Sequence, residues 1–125
     1  MTEEAKSENV LILGASTNPS RYSHMATVAL CEKGHSVFPV GVKKGEIRGH
    51  EIESEFPENQ PIDTITLYLN PSRQLEYYDR ILESGTKRII FNPGTENVEL
   101  ADMAIRKGIK PEMACTLVML SVGTF

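Results

Sequence analysis

The sequence predicts an α/β protein built on a doubly wound parallel sheet of five strands, and three observations carry this. Short runs that read as strands near 10–13, 36–40, 64–69, 88–91 and 110–114 alternate with stretches of helical spacing. The helical stretches end at Gly34, Gly85 and Gly108, the residue type that accepts the left-handed turn after a last helical residue. Strands separated by helices pair in parallel through right-handed crossovers, which put helices on both faces. The expected strand order is 3-2-1-4-5. Ligands of such sheets bind beyond the carboxyl ends of the strands, here at the switch between the first and fourth.

Taken in order, Val10 to Leu13 are apolar enough for a strand covered on both faces, and Gly14 ends it. Tyr22 to Lys33 has helical spacing, with Met25, Val28 and Ala29 inward and Ala26 and Leu30 widening the stripe. Ser36 to Val40 is the second strand, with Pro39 tolerated at its end. His50 to Gln60 is polar and broken by proline, a loop with at most one helical turn, anchored by Ile52 and Phe56. Thr64 to Leu69 is the third strand. Asn70-Pro71-Ser72 caps a helix whose stripe is Leu75, Tyr78, Ile81 and Leu82. Arg88 to Phe91 is the fourth strand. Asn97 to Lys107 is a helix with Val98, Ala101, Ala104 and Ile105 inward, and Lys110 to Ala114 is the fifth strand. Thr116 to Val122 is a final helical turn or a packed tail.

The chain has 125 residues, which suits one domain at 9–125 behind a flexible tail at 1–8. Its net charge of −4 argues against nucleic acid or an anionic membrane as partner, so any anion site must be local. No apolar run spans a membrane. Cys31 and Cys115 lack C-x-x-C spacing and metal-ligand company, and read as buried thiols of a cytoplasmic protein.

The chemistry concentrates in Gly14-Ala15-Ser16-Thr17-Asn18-Pro19-Ser20-Arg21-Tyr22-Ser23. A strand that enters a small-residue turn and then a helix aims unpaired backbone amides and the positive helix end at one spot, an anion site. The dinucleotide fingerprint G-x-G-x-x-G is not met, since Ser16 and Pro19 stand where glycines would. An ordinary tight turn stands beside the phosphate reading, and Ser23 also reads as a helix N-cap. Past the second strand, Lys43 and Lys44 occupy the place where an NAD site offers an acid to the ribose, which suits a ribose phosphate or a solvated lysine pair. Asn92-Pro93-Gly94-Thr95 is a second small-residue turn at the same sheet end.

These residues carry a resemblance. Gly14-Ala15-Ser16, Pro19, Arg21 and Ser23, followed by Gly34, Val37, Pro39-Val40 and Gly49, resemble the CoA-binding domain family, stand-alone relatives of the nucleotide-binding domain of succinyl-CoA synthetase α subunits. Gly94-x-x-Asn97-x-Glu99 is similar to the family's later motif, and Cys115 falls where a cysteine commonly stands. Gly41-Val42 and Asn92-Pro93 depart from the family pattern. The resemblance implies a Rossmann-like fold that binds coenzyme A, or an acyl-CoA, through its 3′-phospho-ADP portion. It implies that Ser16 and the amides after Gly14 hold the pyrophosphate and Arg21 neutralises it. Lys43 or Lys44 would meet the 3′-phosphate, and Pro39 and Val40 would flank the adenine.

His24, His35 and His50 are not aimed at the switch, and no carboxylate pair or nucleophile-base order is evident, so no catalytic or metal residue is assigned. A non-catalytic CoA-binding module is the leading reading. An NADP-dependent oxidoreductase fragment stands against it, as does a nucleotide-fold subunit of a synthetase-type complex. The ligand is a small nucleotide in each case, with a homodimer or a synthetase-type protein as the remaining partner.

Overall fold

The computed structural model describes residues 7–125. Strands β1 (Asn9–Leu13), β2 (Ser36–Val40), β5 (Thr64–Leu67), β6 (Arg88–Phe91) and β7 (Lys110–Met113) form one parallel sheet, and β3 (Glu46–Ile47) with β4 (His50–Glu51) forms a small antiparallel hairpin. The helices are α1 (Tyr22–Glu32), α2 (Pro71–Gln74), α3 (Tyr78–Glu83), α4 (Val98–Arg106) and α5 (Thr116–Val122), with a 3₁₀ turn at Leu75–Tyr77. This is the doubly wound α/β sheet that the alternating pattern predicts.

The strand order corrects the expectation. It runs β2-β1-β5-β6-β7, so the third long strand pairs with β1 and not with β2. The reason lies in the chain between β2 and β5. It holds no helix that could continue outward on the α1 face; Phe56 and Ile62 instead pack on the opposite face with Tyr77 and Ile81. A right-handed crossover on that face carries the chain back past β1. The switch therefore lies between β1 and β5, and the loop beside Gly14 is Tyr68–Asn70.

Leu11, Leu13, Ile65, Leu67, Ile89 and Phe91 face α3 and α4 in the larger core; Val10, Ile12 and Val37 meet Leu30 of α1 and Leu120 of α5 on the other face. Three helical stripes differ from the sequence pattern. In α1 the buried residues are Ser23, Ala26, Thr27 and Leu30, while Met25 is exposed. The 3₁₀ turn shifts the phase after α2, so Tyr77 is buried and Leu75 is exposed. In α4 the core side is Leu100, Ala101 and Ala104, with Val98 and Ile105 outside. The thiols of Cys31 and Cys115 are half-buried rather than buried, and burial raises the Cys31 pKa.

The flexible tail expected at 1–8 lies mostly outside the described residues. Its last two residues are held: the Ser7 hydroxyl donates to the Gly34 carbonyl, and Glu8 accepts from the Thr64 hydroxyl and pairs with Arg88. No helix among the described residues is long and apolar enough to cross a membrane.

Candidate functional site

The site starts where β1 stops. Gly14 turns the chain at φ +103°, a left-handed backbone that any Cβ would strain, and a side chain there would stand 3.1 Å from the Tyr68 carbonyl carbon and from Leu69 Cδ2. The amides of Gly14 and Ala15 both donate to the Val40 carbonyl, at 2.8 and 2.9 Å. Those bonds tie the turn to the end of β2. The amides of Ser16, Thr17, Tyr22 and Ser23 have no partner among the described residues.

Local polar groups hold the turn in shape. The Asn18 amide donates to Ser16 Oγ (3.1 Å), and Asn18 Oδ1 accepts from both the amide (3.0 Å) and the hydroxyl (2.7 Å) of Ser20, an Asx turn. His24 Nδ1 lies 2.9 Å from the Ser16 carbonyl; a carbonyl only accepts, so the imidazole carries its proton on Nδ1. This corrects the expectation that no histidine is aimed at the switch: His24, from the first turn of α1, reaches the Ser16 carbonyl. Pro19 is exposed beside it. α1 opens after Arg21 with no capping side chain and no acid in its first turn. Ser23 is thus not the N-cap: it is the second helical residue, and it is buried. A helix end left uncapped and free of acids keeps its amides and its positive pole for an outside anion.

The loop after β2 clasps this turn. A Cβ on Gly41 would stand 2.6 Å from the Ala15 carbonyl oxygen, and Gly45 lies against the Thr17 side chain. Lys43 and Lys44 are exposed between these two contacts. Among the described residues no ion pair engages Lys43, Lys44 or Arg21. Three unpaired cations around four open amides favour anions locally in a chain of net charge −4. Pro39 and Val40 are buried in the sheet, Val40 within the larger core, so their side chains do not present a face to a ligand. The exposed apolar side chain of this stretch is Val42, at 69%.

The turn Asn92-Pro93-Gly94-Thr95 lies at the same sheet end but one strand further from β1 than expected, because β5 intervenes. The Asn92 side chain is engaged within the fold. Its Nδ2 donates to Thr66 Oγ1 (2.7 Å) and the Leu67 carbonyl (2.8 Å), and its Oδ1 accepts from the Thr116 amide (2.9 Å). Asn97 caps α4 by accepting from the Leu100 amide, and it donates to Gln74 and Tyr78. Pro93 and Gly94 are exposed, and the Gly94 amide donates to the Glu96 carboxylate at 3.0 Å. The structure therefore brings Gly14, Ala15, Ser16, Pro19, Arg21 and Ser23 together with Lys43 and Lys44, while Asn92 and Asn97 shape the neighbouring loops.

The hydroxyl of Tyr68, at the β1–β5 switch, is buried near the Thr66 and Thr116 hydroxyls without a hydrogen bond to either, and burial pushes its pKa up to about 12. Hollows of about 540 and 290 Å³ lie elsewhere, under Phe56–Ile62 and between β2 and the hairpin, and no residue of Gly14–Arg21 lines them. Among the described residues no cluster of His, Cys, Asp or Glu could hold a metal ion.

A family model described as CoA binding domain matches residues 8–121. An uncharacterized protein of Bacillus subtilis, YneT, is 26% identical over 104 residues, which cover 82% of this chain and 77% of that one. A crystal structure of an uncharacterized protein superposes with a TM-score of 0.93 at 49% identity, covering 97% of this chain and all of the other. The structure of cell-free ID.343 from Thermus thermophilus has the same fold, with a TM-score of 0.84 at 23% identity over 95% of this chain and 91% of that one.

Proposed function

The chain belongs to the CoA-binding domain family, and from that premise we propose that it holds coenzyme A or an acyl-CoA by the 3′-phospho-ADP portion, at the carboxyl ends of β1, β2 and β6. The observation that carries this reading is the pairing of an uncapped α1 with unpaired cations on two clasped loops. A pyrophosphate is the right partner for the amides of Ser16, Thr17, Tyr22 and Ser23, with Arg21 alongside. A 3′-phosphate on the ribose gives Lys43 and Lys44 their role. Gly14, Ala15 and Pro19 shape the turn, with Ser23 behind it. Pro39 and Val40 act through the Val40 carbonyl that anchors the turn, so Val42 takes over the apolar contact with adenine. Asn92, Pro93, Gly94 and Asn97 form the far wall, toward the pantetheine arm. No residue is assigned a catalytic step.

The test is thermal unfolding with CoA, dephospho-CoA, NAD and NADP. Ligand at about 100 times its Kd adds roughly 2.7 kcal/mol of stability, a rise on the order of 10 °C for a domain of this size. CoA should give the largest rise and dephospho-CoA a smaller one. No rise with CoA at millimolar concentration refutes the reading, and a rise with NADP above that with CoA transfers the site to a nicotinamide cofactor.

A further inference from the structure

We propose that Gln74 is a positioning residue for the part of the ligand beyond the pyrophosphate, the flexible arm that ends in a thiol or thioester. Glutamine is mostly a surface residue, yet Gln74 is fully buried, and a buried amide needs all its partners. It has them. Its Nε2 donates to the Leu69 carbonyl at 2.8 Å and to the Thr95 carbonyl at 2.9 Å, and its Oε1 accepts from Asn97 Nδ2 at 2.9 Å. Asn97 Nδ2 also donates to the Tyr78 hydroxyl, which donates to Glu99, while Asn97 Oδ1 caps α4. One side chain thus joins the loop after β5, the loop after β6 and the start of α4.

None of these bonds reaches the Gly14–Arg21 turn or the lysine loop. The inference rests on the CoA reading, in which the nucleotide lies over β1 and β2. β2 is the edge of the sheet, so a ligand continuing along the strand ends runs toward β5 and β6, about 5 and 10 Å from β1. The loops it meets there are the two that Gln74 holds. The Leu69 loop also packs on Gly14, but the backbone of that turn is held by the Val40 carbonyl, so losing Gln74 weakens the grip on the arm far more than the grip on the nucleotide, a division that a general loss of stability would not produce.

The experiment is calorimetric titration of the full chain and of Q74M, a near-isostere without polar atoms, with CoA and with 3′-phosphoadenosine 5′-diphosphate, which keeps both phosphate groups and lacks the arm. Far-UV circular dichroism checks folding. CoA affinity should fall about tenfold, the equivalent of one lost buried hydrogen bond, while that of the armless nucleotide stays within about twofold. Equal losses for the two ligands, or none, overturn the proposal. If Q74M does not fold, Y78F decides on the same division, with a CoA loss of about threefold expected from one weaker network bond. If the unsubstituted chain binds neither ligand, the CoA reading itself fails and this inference falls with it. If that chain binds both and the variants do not divide them, the inference alone fails.

Discussion

Gly41→Ala tests whether the phosphate turn and the lysine loop work as one unit. The new Cβ would lie 2.6 Å from the Ala15 carbonyl oxygen and 3.2 Å from Ile52 Cγ2. The first distance is closer than such contacts allow, and the obstacle is backbone, so the loop must move by several tenths of an ångström. Gly41 does not have a left-handed φ, and the effect is therefore one of space and not of backbone strain. Overpacking of this kind costs about 1–3 kcal/mol. For 125 residues the unfolding entropy is about 260 cal/mol/K, so the melting temperature should drop by about 4–12 °C. Gly108→Ala is the control: its φ is +80° and nothing lies within 4 Å of a Cβ, so only strain of about 1–2 kcal/mol is expected. CoA affinity should fall in G41A and hold in G108A, measured by calorimetry at a temperature where both are folded. An unchanged melting temperature in G41A refutes the close contact. A destabilised G41A with intact CoA affinity refutes the coupling of the loops.

Asn92→Ala leaves the Thr116 amide and the Leu67 carbonyl without their partner, and should cost about 3 kcal/mol, or about 12 °C in melting temperature; a loss under about 1 kcal/mol would show that water replaces the side chain. His35 has its pKa lowered, chiefly by burial, and its Nδ1 accepts from the Glu8 amide, so the folded state favours the neutral ring. That contribution is complete above the unfolded pKa of 6.5 and is lost as pH falls through the lower folded value. Denaturant midpoints across pH 7 to 4 should show a step below 6.5 that His35→Asn flattens; a profile unchanged by the substitution contradicts the assignment. Tyr68→Phe removes a buried hydroxyl without a partner, and should leave stability unchanged or raise it by about 1 kcal/mol; a clear loss would mean the hydroxyl is bonded in solution.

The alternation of strands and helices was readable because its periods are local, and Gly14 and the small-residue turn were readable because a strand running into glycine is a local signal. The strand order was not. It depends on which face the chain from 41 to 63 takes, and that is decided by Phe56 and Ile62 packing beside Tyr77, contacts remote in sequence. The 3₁₀ turn at Leu75–Tyr77 changed the phase of a stripe that spacing alone continued as one helix. Among the candidate residues, Arg21, Lys43 and Lys44 stand out in the sequence because charge in a turn is conspicuous. Gln74 and His24 do not, since nothing in their immediate sequence distinguishes a buried hub or a ring bonded to a carbonyl from an ordinary helical side chain.

The central claim is that the turn after β1 and the lysines after β2 grip one 3′-phosphorylated nucleotide. The most direct test is a calorimetric cycle: CoA and dephospho-CoA, each titrated into the unsubstituted chain and into K43A/K44A. CoA should bind the unsubstituted chain at least about tenfold more tightly than dephospho-CoA, and the double substitution should erase that difference, a coupling on the order of 1.4 kcal/mol. Equal affinities for the two ligands, or a difference that survives the loss of both lysines, would contradict the account.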